Sequence, residues 1–331
     1  MMTMKKFDQM TDSVAAVMWR EPVVLSPQSR INEAVERIRQ TGLPDQNMSH
    51  CYVVAEDFSL LGQVDLRTLL LSRGGVRLET VMAHPFVTLR PEDDQELAAQ
   101  LMEAYDLSEV PVVDEENRLV GIVTADTAME VLQEEATEDM ERMAAMTPSE
   151  EPYLQSGALR IFRARIPWLL LLMLSAALTG GIISHFEQAL AAQVALTAFI
   201  PMLMDTGGNC GSQSSVTVIR GLSLGEVRFS DWMRVFWKEV QVGALCALVL
   251  AAVNFLRLMV MSQVGIAVAA TVSFSLVVTV ILADLVGGLL PILAKRLGVD
   301  PAVMASPLIT TVVDALSLLV YFQSAVWLLK I

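Results

Sequence analysis

Only three cysteines occur in the 331 residues, Cys51, Cys210 and Cys246, and no two of them stand at CxxC spacing. Neither a disulfide framework nor a thiolate zinc site is suggested. The three histidines, His50, His84 and His185, also lack metal-ligand spacing and read as surface or boundary residues. No nucleophile–base spacing, phosphate loop or catalytic metal motif is visible, so no enzyme is expected. The N-terminal stretch lacks an apolar core after Lys5 and Lys6. Residues 1–13 are therefore expected to be a tail rather than a signal peptide.

Basic residues are scarce in the first half. Residues 1–160 hold 29 Asp/Glu against 13 Lys/Arg, a net −16, whereas residues 161–331 hold 8 against 10, a net +2. This asymmetry separates an acidic water-soluble half from a hydrophobic one. An acidic surface repels nucleic acid and attracts cations, and no nucleic-acid partner is expected. Plain solubility would account for the acidity equally well.

The acidic half contains a repeat. Val17-Met18 with Pro22-Val23-Val24 resembles Val81-Met82 with Pro85-Phe86-Val87. An amphipathic helix is predicted after each. The first has Ile31, Ala34, Val35 and Ile38 on one face and Gly42 as its stop; the second has Leu97, Leu101 and Ala104 on one face. Short apolar strands follow at Tyr52–Val54 and Val110–Val113, then at Leu60–Val64 and Leu119–Val123. Helices near Leu66–Leu71 and Ala125–Leu132 close the units. This doubled β-α-β-β-α order over residues 14–133 resembles a pair of CBS domains. That resemblance makes Thr124 and Asp126 candidate contacts for ATP. Asp126 stands one position too early for the usual ribose pair, however, and Gly121 reads equally as a tight strand entry.

The second half has five runs that could cross a bilayer as helices of about 20 residues. They are Ile166–Phe186, Ala189–Met204 continuing toward Ile219, Val240–Leu256, Leu258–Ala283 continuing to Leu293, and Ala302–Leu329. The expected class is thus an α+β CBS pair followed by an all-α domain of five membrane helices, residues 161–331. Arg160, Arg163 and Arg165 precede the first run. Arg220, Arg228, Arg234 and Lys238 lie between the second and third, and Lys295 and Arg296 between the fourth and fifth. The positive-inside rule then puts the N-terminus and the CBS pair in the cytoplasm of a cell-membrane protein, with the C-terminus outside.

Charges inside such spans default to functional readings. Asp314 lies deep in the fifth run beside Thr310, Thr311 and Ser317. It is read as facing a water-filled cation path, against the alternative of a helix-to-helix bond. Asp284 is weaker, since it could lie near an end or pair with Lys238. In the second run, Asn209 and Gln213 are four apart and share a helix face. Pro201 and the neighbouring glycines could bend this helix. A lining of carboxylate, amide and hydroxyl oxygens suits a hard cation, and neutral oxygens suit Mg²⁺ that keeps its water.

Three stretches carry a more specific resemblance. Pro201–Met204 with Gly207–Ser214, Lys295–Ala302 followed by Pro307 and Asp314, and Glu134–Asp139 together look like the signatures of the MgtE magnesium channels. The resemblance implies a homodimer in the bilayer, with spans two and five forming the pore on the two-fold axis. It implies that Asp314 recognises hydrated Mg²⁺, with Asn209, Gln213 and Thr310 beside it. A connecting helix over Glu134–Arg160 would form a plug. Mg²⁺ would bridge Glu134, Glu135, Glu138 and Asp139 to Asp300 at the inner mouth and hold the gate shut. Two departures are noted. The family's acidic helical domain ahead of the CBS pair is not expected to fit here, and Cys210 and Ser212 replace its usual Thr and Asn. Two other classes stay open: a gradient-coupled cation exchanger using Asp314, Asp284 and Glu239, and a non-transporting CBS-linked sensor.

Overall fold

The computed structural model describes residues 12–41, 49–85, 87–149, 151–261 and 264–331. It divides into two units, Met1–Ala136 and Thr137–Ile331. The expected stop at Gly42, most of the N-terminal tail and Phe86 lie outside the described residues.

The first unit contains α1 (Val14–Val17), β1 (Val24–Leu25), α2 (Ile31–Thr41), β2 (His50–Val54), β3 (Leu60–Asp65) and α3 (Leu66–Leu71). It continues through α4 (Gln95–Ala104), β4 (Glu109–Val113) and β5 (Leu119–Thr124). The repeat is visible in detail. β2 pairs antiparallel with β3, and β4 with β5, and each pair shifts register at the same place, Val53/Val54 and Val112/Val113. Each hairpin turn needs a residue at positive φ, Phe58 at 67° and Asn117 at 60°. Asp57 accepts from the Ser59 amide at 3.1 Å, and Asp114 from the Arg118 amide at 2.8 Å, which fixes the turns locally. Asp65 and Asp94 cap α3 and α4 by accepting from Thr68 and Glu96.

The two copies exchange their first segments. Trp19 exchanges backbone hydrogen bonds with Ile122 of the second copy, and Ala83 does so with Gln63 of the first. Val14, Ala15 and Met18 accordingly sit in the second copy's core, and Leu78 in the first's. The glycines explain how the backbones come so close. A Cβ on Gly121 would stand 2.8 Å from the Trp19 carbonyl oxygen, and one on Gly62 2.9 Å from that of Ala83. Gly121 is thus a site of backbone approach. One expectation fails here. The buried face of α4 is Gln95, Ala98, Ala99 and Met102, whereas Leu97 and Ala104 are exposed. Small alanines pack where the helix lies close, and Leu97 turns outward.

A carboxylate joins the copies. Glu109, 4% exposed, accepts from the Ser49 and His50 amides at 2.6 Å, pairs with the His50 Nδ1 at 2.9 Å and accepts from the Tyr52 hydroxyl at 3.2 Å. Burial and this carboxylate push the Tyr52 phenol up from its ordinary value, and burial followed by Glu109 pushes the Cys51 thiol up to about 12. Both groups stay neutral.

The second unit begins within α5 (Ala125–Met143), a single helix that leaves β5 and carries the acidic run. The expected plug helix to Arg160 is not continuous, because residues 144–149 and 151–157 are non-helical and a new helix starts at Ala158. Then come α6 (Ala158–His185), α7 (Glu187–Ala192), a 3₁₀ turn (Val194–Phe199), α8 (Ile200–Ser223), α9 (Trp232–Met261), α10 (Ile266–Arg296), a 3₁₀ turn (Pro301–Met304) and α11 (Ser306–Leu329). Among the described residues, four segments are long and apolar enough to cross a membrane: Ala158–His185, Phe229–Met261, Ile266–Arg296 and Pro301–Leu329. The helix α8 has 24 residues, about 36 Å at 1.5 Å per residue, but is too polar to qualify by composition. The second expected span is therefore split. Its apolar half forms α7 and a 3₁₀ turn, and Pro201 starts α8 rather than bending it, since its fixed φ suits a first turn. The third span also runs on to Met261. Arg257, which separates the expected runs Val240–Leu256 and Leu258–Ala283 and would thus sit in the loop between them, lies inside α9 and donates to Asn254 at 2.8 Å.

Replacing Glu109 by Ala would leave the buried Tyr52 phenol and the partly buried amides of Ser49 and His50 without this acceptor. We expect the first unit to lose about 3 kcal/mol, judged from about 1–3 kcal/mol per orphaned group with partial relaxation. Thermal unfolding of the full chain checks this. A transition at the wild-type temperature would contradict the assigned role.

Candidate functional site

The helix α8 has two unlike sides. Gly207, Gly208, Gly211, Ser214, Ser215, Val218 and Leu222 are buried, whereas Asp205, Asn209, Gln213 and Thr217, spaced by four, are exposed. Glycine makes the buried side possible. A Cβ on Gly207 would stand 2.9 Å from the Ser317 hydroxyl of α11 and from the Thr279 methyl of α10; one on Gly208 would meet the Thr310 methyl at 3.1 Å. A Cβ on Gly287 of α10 would collide with the Gly211 carbonyl. Close approach of small residues is how helices associate when lipid removes the usual hydrophobic drive.

These contacts run antiparallel, with Gly207 against Val313 and Ser317 and Gly211 against Ile309. Asp314 of α11 consequently falls beside the start of α8. It is half-buried and lies within electrostatic range of Asp205. Thr310, one turn earlier, is half-buried and donates its hydroxyl proton to the Pro307 carbonyl at 3.0 Å. The structure thus sets Asp314 and Thr310 of α11 against the first turns of α8, while Asn209 and Gln213 stand on the exposed side of that helix. Asp205 joins them, although it was not singled out in the sequence. The signal was present, because it stands four residues before Asn209. Cys210 is half-buried and packs on apolar neighbours of α10 and α11.

A second polar group lies inside the bundle. Ser214 of α8 bonds to the Glu239 carboxylate of α9 at 2.8 Å and lies 2.9 Å from the Asp284 carbonyl of α10. Glu239 is 8% and Asp284 4% exposed. Asp284 packs on Gly243 of α9, and no ion pair joins it to Lys238 among the described residues.

The acidic run is divided. Glu134 is exposed, and Glu135 accepts from Gln95 at 2.9 Å within the first unit. Glu138 and Asp139 belong to the second unit, where Arg142 forms ion pairs with both Glu138 and Asp300. Asp300 also caps the 3₁₀ turn by accepting from the Ala302 amide at 2.8 Å. Asp139 accepts from the Ser223 hydroxyl at 3.4 Å. Burial, and then the charge of Asp300, raise the Asp139 carboxyl above the ordinary Asp value, against the opposing pull of Ser223, Arg142 and Arg220. Arg142 was missed in the sequence. Its i,i+4 relation to Glu138 was legible, but its partner Asp300, 158 residues away, was not. No cluster of three or more metal-binding side chains occurs among the described residues. The CBS contacts are not poised as a pair either. The Thr124 hydroxyl is buried against the Thr127 hydroxyl at 3.1 Å, and Asp126 is exposed.

Comparison with known proteins gives consistent matches. Residues 200–324 match a family model described as MgtE, divalent cation transporter, and residues 14–74 and 78–134 each match the CBS domain. The magnesium transporter MgtE of Thermus thermophilus is 38% identical over 325 residues, covering 96% of this chain and 70% of that protein. The one from Bacillus subtilis is 35% identical over 318 residues, covering 95% and 69%. A solved cytosolic domain of the Mg²⁺ channel MgtE in complex with ATP is 36% identical, with a TM-score of 0.35, covering 37% of this chain and 49% of that one.

The raised Asp139 carboxyl has a stability consequence. A carboxyl with a folded pKa above its unfolded value loses the folded state stability as pH rises from the unfolded toward the folded pKa, and the cost persists above it. Asp139→Asn should therefore raise the melting temperature at neutral pH without Mg²⁺ and flatten that part of the pH profile. A lower melting temperature for the variant would contradict the assignment.

Proposed function

The chain belongs to the MgtE family of magnesium transporters and is a multi-pass membrane protein, and on that premise we propose that it is a homodimeric Mg²⁺ channel closed by cytosolic Mg²⁺. The supporting observation is the exposed stripe Asp205, Asn209 and Gln213 on α8, next to Asp314. Such groups are too costly to present to hydrocarbon. A second copy of the same face, related by a two-fold axis, would enclose them around water, and closed two-fold symmetry is the commonest way to cover such a face. The helix α8 then crosses the bilayer as the second span in chain order, beside the four apolar ones and shielded from lipid, which accounts for its polarity.

The chemistry suits Mg²⁺ as cargo. This ion gives up water reluctantly and prefers oxygen ligands. Paired Asp314 carboxylates would attract it, while Asn209, Gln213 and Thr310 offer neutral oxygens to its water shell. Soft metals would find little here beyond Cys210.

The distribution of basic residues supports a cytoplasmic CBS pair and an external C-terminus. The gate would use Glu138, Asp139 and Asp300. Asp139 and Asp300 repel, and Arg142 offsets this only in part. A divalent ion there would favour the arrangement that holds these carboxylates together, so binding shifts the population toward the shut state.

Mg²⁺ uptake into proteoliposomes tests the reading. We expect Asp314→Ala to lower uptake at least about tenfold, the equivalent of about 1.4 kcal/mol. Undiminished uptake would remove Asp314 from the pore. Current should fall as internal Mg²⁺ rises, whereas a flat response would remove the gate and leave the channel. Uptake that tracks an imposed proton or sodium gradient would favour a coupled exchanger.

A further inference from the structure

We propose that the groove between α10 and α11 is a binding site for an anionic phospholipid, with Arg296 holding the headgroup phosphate. The groove has a volume of about 660 Å³. Leu282, Leu289 and Arg296, each two helical turns apart on α10, run along it, and Val312 of α11 forms the opposite wall. Fourteen residues of helix span about 21 Å. That exceeds the roughly 15 Å of hydrocarbon in one leaflet of a 30 Å core. The lining can therefore accompany an acyl chain through its whole leaflet.

The ends of the groove differ. Leu282 lies toward the middle of α10, and Arg296 is the helix's last residue. The Arg296 guanidinium carbon sits 4.3 Å from the centre of the Phe229 ring, and Trp232 lines the same end. Stacking on Phe229 fixes the guanidinium plane and leaves its edge free for a planar array of acceptors. Among the described residues no carboxylate pairs with Arg296; nearby Asp231 pairs instead with Arg234 at 3.1 Å. An aromatic ring and an unpaired cation at the mouth of an apolar groove match a lipid's phosphate and acyl chain in order and spacing.

The other natural occupant is a helix, and charge argues against it. The helix α6 is long, apolar and without a buried residue, so a second copy's α6 could in principle fill the groove. Its basic end carries Arg160, Arg163 and Arg165. With all basic ends on the cytoplasmic side, as proposed above, those charges would meet Arg296. A phosphate reverses that interaction from repulsive to attractive. The inference rests on that sidedness and not on the pore reading.

The test uses the purified full chain, stripped of lipid and equilibrated with equal phosphatidylglycerol and phosphatidylcholine, with retained lipid counted by native mass spectrometry. The wild type should retain phosphatidylglycerol in preference. Arg296→Gln should reduce the preference roughly fivefold, the factor for about 1 kcal/mol per basic side chain at an anionic surface. Arg296→Lys should keep most of it, and Leu289→Trp, which fills the groove, should retain neither lipid. Equal retention of the two lipids by wild type overturns the proposal even if a variant fails to fold. So does unchanged preference in Arg296→Gln. A Leu289→Trp variant that keeps its lipid but loses its dimer would assign the groove to a second copy's helix. Mg²⁺ uptake by the same preparations reports separately on the channel.

Discussion

The structure of the membrane unit follows from one constraint: α8 must keep Asp205, Asn209 and Gln213 away from hydrocarbon while packing its opposite side against two neighbours. Glycine meets the second need. Gly207, Gly208 and Gly211 remove side chains where α10 and α11 approach, and Gly287 does the same from the α10 side. The approach brings Asp314 beside the first turn of α8. Larger residues would push α11 outward and separate the two carboxylates. Packing and site geometry are therefore one feature, and a polar helix becomes tolerable only because its exposed stripe has water or a second copy to face.

The same economy of charge governs the linker. Glu138, Asp139 and Asp300 gather around Arg142, with Arg220 also acting on Asp139, so that three carboxylates face two guanidinium groups. On the proposed gating, this is the region where a divalent ion would act, without a preformed cage among the described residues. In the first unit Glu109 plays the opposite part. It is satisfied by two amides, His50 and Tyr52, and holds the two CBS copies together irrespective of ions. One carboxylate group is built for permanence and the other for response.

Much of this was legible because it is periodic. The doubled strand–turn–strand pattern gave the CBS pair, and the four-residue spacing of Asn209 and Gln213 gave the polar face of α8. Long-range pairings were not legible. Nothing near Trp19 announces that its partner is Ile122 in the other copy, and Arg142 does not announce Asp300. The face of α4 is turned from the expected Leu97–Leu101–Ala104 one: of these only Leu101 packs on the core, and Ala98 and Ala99 fit where the helix packs close. The break before α8 was missed because Ala189–Met204 is apolar throughout apart from Gln193 and Thr197. Hydropathy does not register that a proline at a helix's first turn begins it. Arg257 was taken for a loop residue, yet a bond to Asn254 within the same helix lets α9 carry it.

The central claim is that the Asp205–Asn209–Gln213 side of α8 faces the ion path. In a chain with Cys51, Cys210 and Cys246 replaced, Asn209→Cys or Gln213→Cys can be exposed to a charged, membrane-impermeant thiol reagent while Mg²⁺ uptake is followed. The account predicts that both cysteines react, that uptake falls on reaction, and that Mg²⁺ slows the modification. Cysteines that stay unmodified in a transporting protein, or that react without any loss of uptake, would contradict it.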